Sequence, residues 1–293
     1  EDITVSHTAM ATVAAIAMAG ATPVLADVDA RTRTIDVDRA ASLITPRTKA
    51  IIAVHLYGHP ADLDRLGALC NDHGLALIED CAQAHGARWQ GKVVGSVGRV
   101  STFSFYPTKN LGAIGDAGMV LTNDEAIAGR LRLLRQYGWE RPQYSIIQGW
   151  NSRMDPLQAG ILSVKLRHLE MQTTRRRTLA AAYRDQLSGL PLLLPTEQDG
   201  CKHVYHLYVV ELQDEGTRDA LRSHLAKRGV NAGIHYAYGV HEQPAYKEWI
   251  RTSSMKGTER LARTVLSLPL YPELTDAEQD RVSHAVRTFF EQA

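Results

Sequence analysis

The chain has 293 residues, 44% of them hydrophobic, enough for a large buried core and suited to one large domain with a smaller one beside it. With 33 basic and 32 acidic residues the formal net charge is +1, so electrostatics favour neither nucleic acid nor an anionic membrane as a partner. Cys70, Cys81 and Cys201 are few and scattered, which excludes a disulfide framework and a cysteine zinc site and fits a reducing cytoplasm.

In chain order, Glu1 to Val5 already reads as the start of a strand, as if the sequence began inside a domain. Thr12 to Ala19 is Ala-rich and suits a helix ended by Gly20. The apolar run Val13 to Ala21 is too short to span a bilayer and lacks the basic flank of a signal peptide. Pro23 to Val28 and Ala50 to Leu56 are apolar strands. Asp62 to His73 places Leu63, Leu66 and Leu69 on one helical side, with Gly74 as a C-cap. Leu75 to Ile78 is a buried strand, followed at once by Glu79 and Asp80. Val100 to Phe105 and Gly118 to Thr122 are further strands, and Asn123 is expected to cap a helix reaching about Tyr137. Asp155 to Leu187 is a long helical pattern broken once. Its Arg175, Arg176 and Arg177 are expected on a solvated face.

After Pro191 and Pro195 come a strand (Val204 to Leu212), a helix (Thr217 to Arg228), a strand (Gly233 to Tyr236) and two helices (Gly257 to Leu266, Asp276 to Glu291). Apolar strands alternating with helices predict an α/β fold: a mostly parallel sheet in a three-layer α/β/α large domain over residues 1–188. A smaller α+β C-terminal domain is expected over residues 189–293.

Ligands on such sheets bind beyond the carboxyl ends of the strands. Two polar clusters fall there: Glu79 to Gly86, and Ser104 to Asn110. An acid from one strand end and an amine from the other can meet over one crevice. Lys109 by itself reads as a surface charge, and Asp80 by itself as a turn cap. Lysine becomes a nucleophile towards a carbonyl only where its pKa is lowered, and Phe105, Tyr106 and Leu111 offer the necessary shelter.

Together these stretches carry a family resemblance. Ile78-Glu79-Asp80-Cys81-Ala82-Gln83-Ala84-His85-Gly86 and Phe103-Ser104-Phe105-Tyr106-Pro107-Thr108-Lys109-Asn110-Leu111-Gly112 resemble the DegT/DnrJ/EryC1/StrS sugar aminotransferases, of the aspartate-aminotransferase-like fold. Gly20 to Val24, Thr45 to Ile52, His55 to Gly58, Asn151 to Asp155 and Leu266 to Pro272 match in order, so the resemblance spans nearly the whole chain.

The resemblance implies a type I pyridoxal-phosphate (PLP) transferase that moves an amino group from an amino acid, usually glutamate, to a nucleotide-linked keto-sugar in the cytoplasm. Lys109 matches the lysine covalently linked to PLP, and Asp80 the acid paired with the ring nitrogen, where an anion keeps that nitrogen protonated. Gln83 matches a residue near the ring and its 3-hydroxyl, and Ser104 a phosphate ligand. Asn151 matches a phosphate contact made from a second subunit, implying a homodimer with shared active sites. Freed by the amino donor, Lys109 would also move the proton during transfer. Arg153, His235 and Tyr236 match positions that border the substrate.

Two departures from the family pattern stand out. Thr8 to Thr12 places Ala9 where the family has a ring-stacking aromatic, so His7 is expected to offer the stacking face. The family's main phosphate-binding loop precedes the residues in hand, which would leave Ser104 and Asn151 to hold the phosphate.

Gly112 to Gly118 reads as a turn rather than a nucleotide loop. His203 and His206 lack a third ligand, so no metal site is expected. Lys109 argues against the related dehydratase branch, which has histidine there, and the lack of a GxGxxG stretch argues against a nicotinamide oxidoreductase. The other readings are a keto-cyclitol aminotransferase and a non-catalytic PLP-binding remnant. Asn151-Ser152-Arg153 leans towards 3-keto acceptors.

Overall fold

A computed structural model describes residues 1–292. Six strands of the first part are β1 (Asp2–Val5), β2 (Pro23–Ala26), β3 (Ala50–Val54), β4 (Ala76–Asp80), β5 (Val100–Ser104) and β6 (Gly118–Leu121). Further on come β7 (Tyr208–Glu211), β8 (Arg251–Thr252) and β9 (Val265–Leu268). The main sheet runs β8-β2-β1-β3-β4-β5-β6, parallel throughout except for the β5–β6 pair. Ile3, Val5, Val24, Leu25, Ile51 and Leu77 are all buried in it. Strands covered on both faces need such continuous apolar runs.

Parallel neighbours require crossovers. Helices α1 (Met10–Met18), α2 (Val37–Ser42) and α3 (Leu63–His73) supply them. The C-cap of α3 is as expected, Gly74 closing the helix in left-handed conformation at φ 64°, and at the other end Asp62 accepts from the Arg65 N–H. Helix α4 (Glu125–Leu134) is capped by Asp124, not Asn123, because the Asp124 carboxylate reaches the N–H groups of Ala126 and Ile127. The long helical pattern resolves into α5 (Pro156–Leu166) and α6 (Leu169–Leu187).

The remaining helices are α7 (Glu215–Ala226), α8 (Lys256–Thr264) and α9 (Asp276–Glu291). Antiparallel β7 and β9 anchor a second core with Leu179, Tyr183, Leu221 and Val286 from α6, α7 and α9. The strand expected over Val204–Leu212 shortens to β7, because residues 204–207 bond elsewhere. The Val204 N–H goes to the Gly58 carbonyl, the Leu207 N–H to that of Tyr57, and Tyr205 takes φ 44°. The strand expected over Gly233–Tyr236 is only a bridge from Gly233 to Ser267.

The chain then returns to the first sheet. Val240 and Met255 pack with Val13 and Leu25, and β8 pairs with β2. Asp27, one residue past β2, caps α8: its carboxylate accepts from Gly257 N (2.8 Å), Thr258 N (2.7 Å) and Thr258 Oγ1 (2.9 Å). Arg33 and Glu211, both buried, form a second seam with Arg260. Arg176 is not solvated as expected. It is buried, and its guanidinium donates to the Leu270 carbonyl at 2.9 Å and the Tyr205 carbonyl at 3.2 Å.

Asp27→Ala should remove the cap and strand two N–H groups, costing about 2–3 kcal/mol. Urea denaturation measures this, and a loss below about 0.5 kcal/mol would show that the cap is not a fastening point.

Candidate active site

The parallel strands β1, β3, β4 and β5 all end at one edge of the sheet. They deliver His7, Tyr57, Asp80 and Ser104 there, and the loop after β5 adds Lys109. Asp80 lies opposite Thr102 in the β4–β5 register, which makes the two polar clusters neighbours.

Asp80 is fixed by its own surroundings. Its Oδ2 accepts from Thr12 Oγ1 at 2.8 Å, and Oδ1 accepts from the Ala82 N–H at 3.1 Å. Lys109 is half-buried, and burial lowers its pKa below the usual 10.5 while the Asp80 carboxylate pulls the other way. The two sense each other's charge, yet no salt bridge joins them among the described residues.

A hydrogen-bonded chain lies beside them. The Tyr57 hydroxyl donates to the His235 carbonyl, so its oxygen accepts from His7 Nε2 at 2.7 Å. That fixes the proton of His7 on Nε2 and leaves Nδ1 without a partner. Gln83 Oε1 accepts from the Tyr57 N–H at 2.7 Å, and its Nε2 donates to the Tyr236 hydroxyl at 2.9 Å. Both ends of the Gln83 amide are thereby assigned. Burial, helped by Arg33, pushes the pKa of His7 down to about 3, so its ring is neutral. His7 does not present the expected stacking face. It is fully buried and meets Tyr57 and Tyr236 edge-on.

Beneath Asp80, Glu79 is fully buried and accepts from His55 Nε2 (3.0 Å) and from the N–H groups of Gly95 (2.6 Å), Val97 (2.9 Å) and Gly98 (2.6 Å). Burial opposes its charge, but these donors hold its pKa below the ordinary carboxylate value. His55 Nδ1 accepts from the Ala61 N–H, so Nε2 carries the proton towards Glu79. Cys81 completes a buried group with His55 and Glu79. The His and Glu atoms that would ligate a metal are already engaged within the protein.

Of the other expected residues, Ser104 ends β5 and its Oγ accepts from the Tyr106 N–H at 3.3 Å. His235 is held to Ser267 Oγ at 2.8 Å, and its pKa is lowered by burial and then by the charge of Lys109. Asn151 and Arg153 are not brought together with this group. They are exposed, bonded to each other at 2.9 Å, with the Arg153 guanidinium 5.9 Å from the Tyr137 ring. Sequence reasoning missed Thr12, Tyr57, Asn110 and His206 as site residues. Thr12, Tyr57 and Asn110 lay inside the quoted stretches, but nothing local showed that Thr12 reaches Asp80 or that His206 reaches Asn110.

Three comparisons bear on the chain. The profile of the DegT/DnrJ/EryC1/StrS aminotransferase family matches residues 1–287. The "Erythromycin biosynthesis sensory transduction protein EryC1" of Saccharopolyspora erythraea is 46% identical over 284 residues, covering 96% of this chain and 77% of that protein. The "dTDP-3-amino-3,4,6-trideoxy-alpha-D-glucose transaminase" of Streptomyces venezuelae is 45% identical, covering 99% of this chain and 76% of that one. The crystal structure of S. venezuelae DesV in complex with ketimine intermediate superposes with a TM-score of 0.96 at 44% identity, covering 100% of this chain and 78% of that one.

Buried neutral histidines make stability depend on pH. The folded pKa of His7 is about 3 and that of His85 about 4, against 6.5 when unfolded. Below pH 6.5 the unfolded chain takes up protons that the folded one does not, so stability present above pH 6.5 is lost as the pH falls towards 4. His85 lies 5.5 Å from the Phe103 ring and 5.7 Å from that of Phe105, with both ring nitrogens unpartnered among the described residues. His85→Phe should therefore keep or raise stability at pH 7 and flatten the decline by about 1 kcal/mol per pH unit. An unchanged slope in urea titrations at several pH values would count against it.

Proposed function

Because the chain belongs to the DegT/DnrJ/EryC1/StrS aminotransferase family, we propose that it carries PLP on Lys109 and moves an amino group from an amino acid, glutamate by preference, to a nucleotide-linked keto-sugar. It is a sugar aminotransferase with the fold of type I PLP transferases. One observation carries the site assignment: a pinned carboxylate and a sheltered amine, on neighbouring parallel strand ends, that do not pair.

The residues present fit the cofactor. Asp80 supplies a fixed negative charge for a ring nitrogen, and Lys109 an amine near it for an aldehyde. The Gln83–Tyr236 pair offers polar groups for the ring's hydroxyl side, and Ser104 a hydroxyl for the phosphate. Bound PLP supplies an electron sink for the carbanion left when a proton is removed from the substrate carbon. Burial raises the fraction of Lys109 present as free amine, so the side chain can accept and return that proton. Thr12 and the Ala82 N–H keep the Asp80 carboxylate in place while Lys109 moves. Neutral His7 and the Tyr57 hydroxyl brace the site without adding charge.

Asn151 and Arg153, exposed and away from their own chain's pocket, suit a homodimer in which each subunit completes the other's phosphate and substrate contacts. His235 and Tyr236 border the acceptor side. Residues 1–188 and 189–293 are proposed as two units, with β8 handed back to the first and α6 lending Leu179 and Tyr183 to the core of the second. The cytoplasm is the proposed compartment, in keeping with three cysteines that form no disulfide.

Purified protein mixed with PLP and reduced with borohydride should gain the cofactor's mass on the Lys109 peptide, and Lys109→Ala should not. Asp80→Asn should retain that link while transfer from glutamate to dTDP- or UDP-linked 3-keto-hexoses falls about 100-fold or more. Attachment without transfer to any sugar or cyclitol acceptor would turn the reading into a cofactor-binding remnant, and no attachment would end it. Asn151→Ala should lower cofactor affinity about tenfold with the dimer intact, measured by equilibrium dialysis and sedimentation.

A further inference from the structure

The residue after Lys109 is held at both ends of its side-chain amide. Asn110 is buried, and its Nδ2 donates to the Val204 carbonyl at 3.2 Å. Its Oδ1 lies 3.0 Å from His206 Nδ1. With the amide nitrogen committed to a carbonyl, Oδ1 is the acceptor and His206 Nδ1 carries the proton. His206 is itself buried, and burial, followed by Lys109, Arg176, His85 and His235, holds its pKa well below the ordinary value. The ring is neutral and adds no second positive charge beside the lysine.

The segment that carries His206 cannot drift. Arg176 donates to the carbonyl of Tyr205, and the Val204 N–H donates to that of Gly58 at 3.1 Å. Gly58 has φ 96°, and a Cβ there would lie 2.8 Å from Val204 Cγ2 and 3.0 Å from the His206 nitrogen. Residues 203–207 therefore key into the Tyr57–Gly58 turn on one side and the Lys109–Asn110 loop on the other.

We propose that His206 is a positioning residue for Lys109: through Asn110 it fixes the backbone from which the lysine side chain springs and fastens that loop to the chain entering the C-terminal core. This rests on Lys109 being the site amine. If the fastening is lost, the amine can reach water or close on Asp80, and either movement raises its pKa towards the ordinary lysine value.

Three substitutions separate this from a packing role. In His206→Asn the amide nitrogen stands where imidazole Nδ1 stood, so the bond to Asn110 survives. His206→Gln is as polar but puts its nitrogen one carbon further out, at the Nε2 position. His206→Phe fills the space with no donor. The reactivity of Lys109 is read in the cofactor-free full chain by competitive acetylation with isotopic acetic anhydride across pH, the Lys109 peptide being quantified by mass spectrometry. Thermal melts run alongside.

Gln and Phe should raise the apparent Lys109 pKa by about one unit, which is about tenfold less free amine at neutral pH, and Asn should restore it to within about 0.3 unit. In the cofactor-loaded protein, kcat for the glutamate half-reaction should fall about tenfold in Gln, with KM little changed, and recover in Asn. Asn and Gln behaving alike, or a Lys109 titration unmoved in Gln, overturns the proposal, even if Phe does not fold. Should Lys109 of the unsubstituted chain titrate like a free lysine, the reading of the site amine itself falls, and this inference with it.

Discussion

Opposite charges in a partly desolvated crevice attract strongly, and flexible ones collapse onto each other. Three contacts at the carboxyl edge of this sheet work against that between Asp80 and Lys109. Asp80 is held by a hydroxyl from α1 and by its own turn, while Lys109 hangs from a loop whose backbone is fastened at Asn110. The result is an acid and an amine close enough to influence one another and still apart. An ion pair would have been easier to build, but it would have left no room for chemistry between the two groups.

The surroundings keep that field simple. His7, His85, His203 and His206 are all buried and held neutral, chiefly by desolvation. All four contribute shape rather than charge, and His7, His203 and His206 add directed hydrogen bonds. Glu79, the one acid fully buried beneath Asp80, has its charge absorbed by three backbone N–H groups and His55. Such a carboxylate is tolerable only when every lone pair is occupied. The strand that presents Asp80 to the pocket is thus anchored from behind by the residue before it.

Much of this was legible in the sequence, and for identifiable reasons. Strand ends followed at once by acids and amines mark where a parallel sheet binds ligands, and the Ile78–Gly86 and Phe103–Gly112 stretches carry enough local pattern to be matched residue by residue. What stayed hidden is long-range. Thr12 touches Asp80 across 68 positions, and His206 touches Asn110 across 96. No periodicity encodes those distances. The misjudged strand at Val204 has the same origin: its apolar run suits a strand, but its N–H groups are drawn to the Tyr57–Gly58 turn. Arg176 misled likewise, since three consecutive arginines look solvated until α6 turns the middle one inward.

One of the two edge strands of the main sheet, Arg251–Thr252, pairs with residues 24–25 across more than two hundred intervening positions. On the ribosome, which releases chain from the amino end, β2 must therefore wait with one flank open until that late segment emerges. Non-local pairing of this kind is slow to find and leaves a sticky edge in the interim. Chaperone dependence, and a tendency of prematurely terminated products to aggregate, would come from this lacing rather than from any weakness in the finished core.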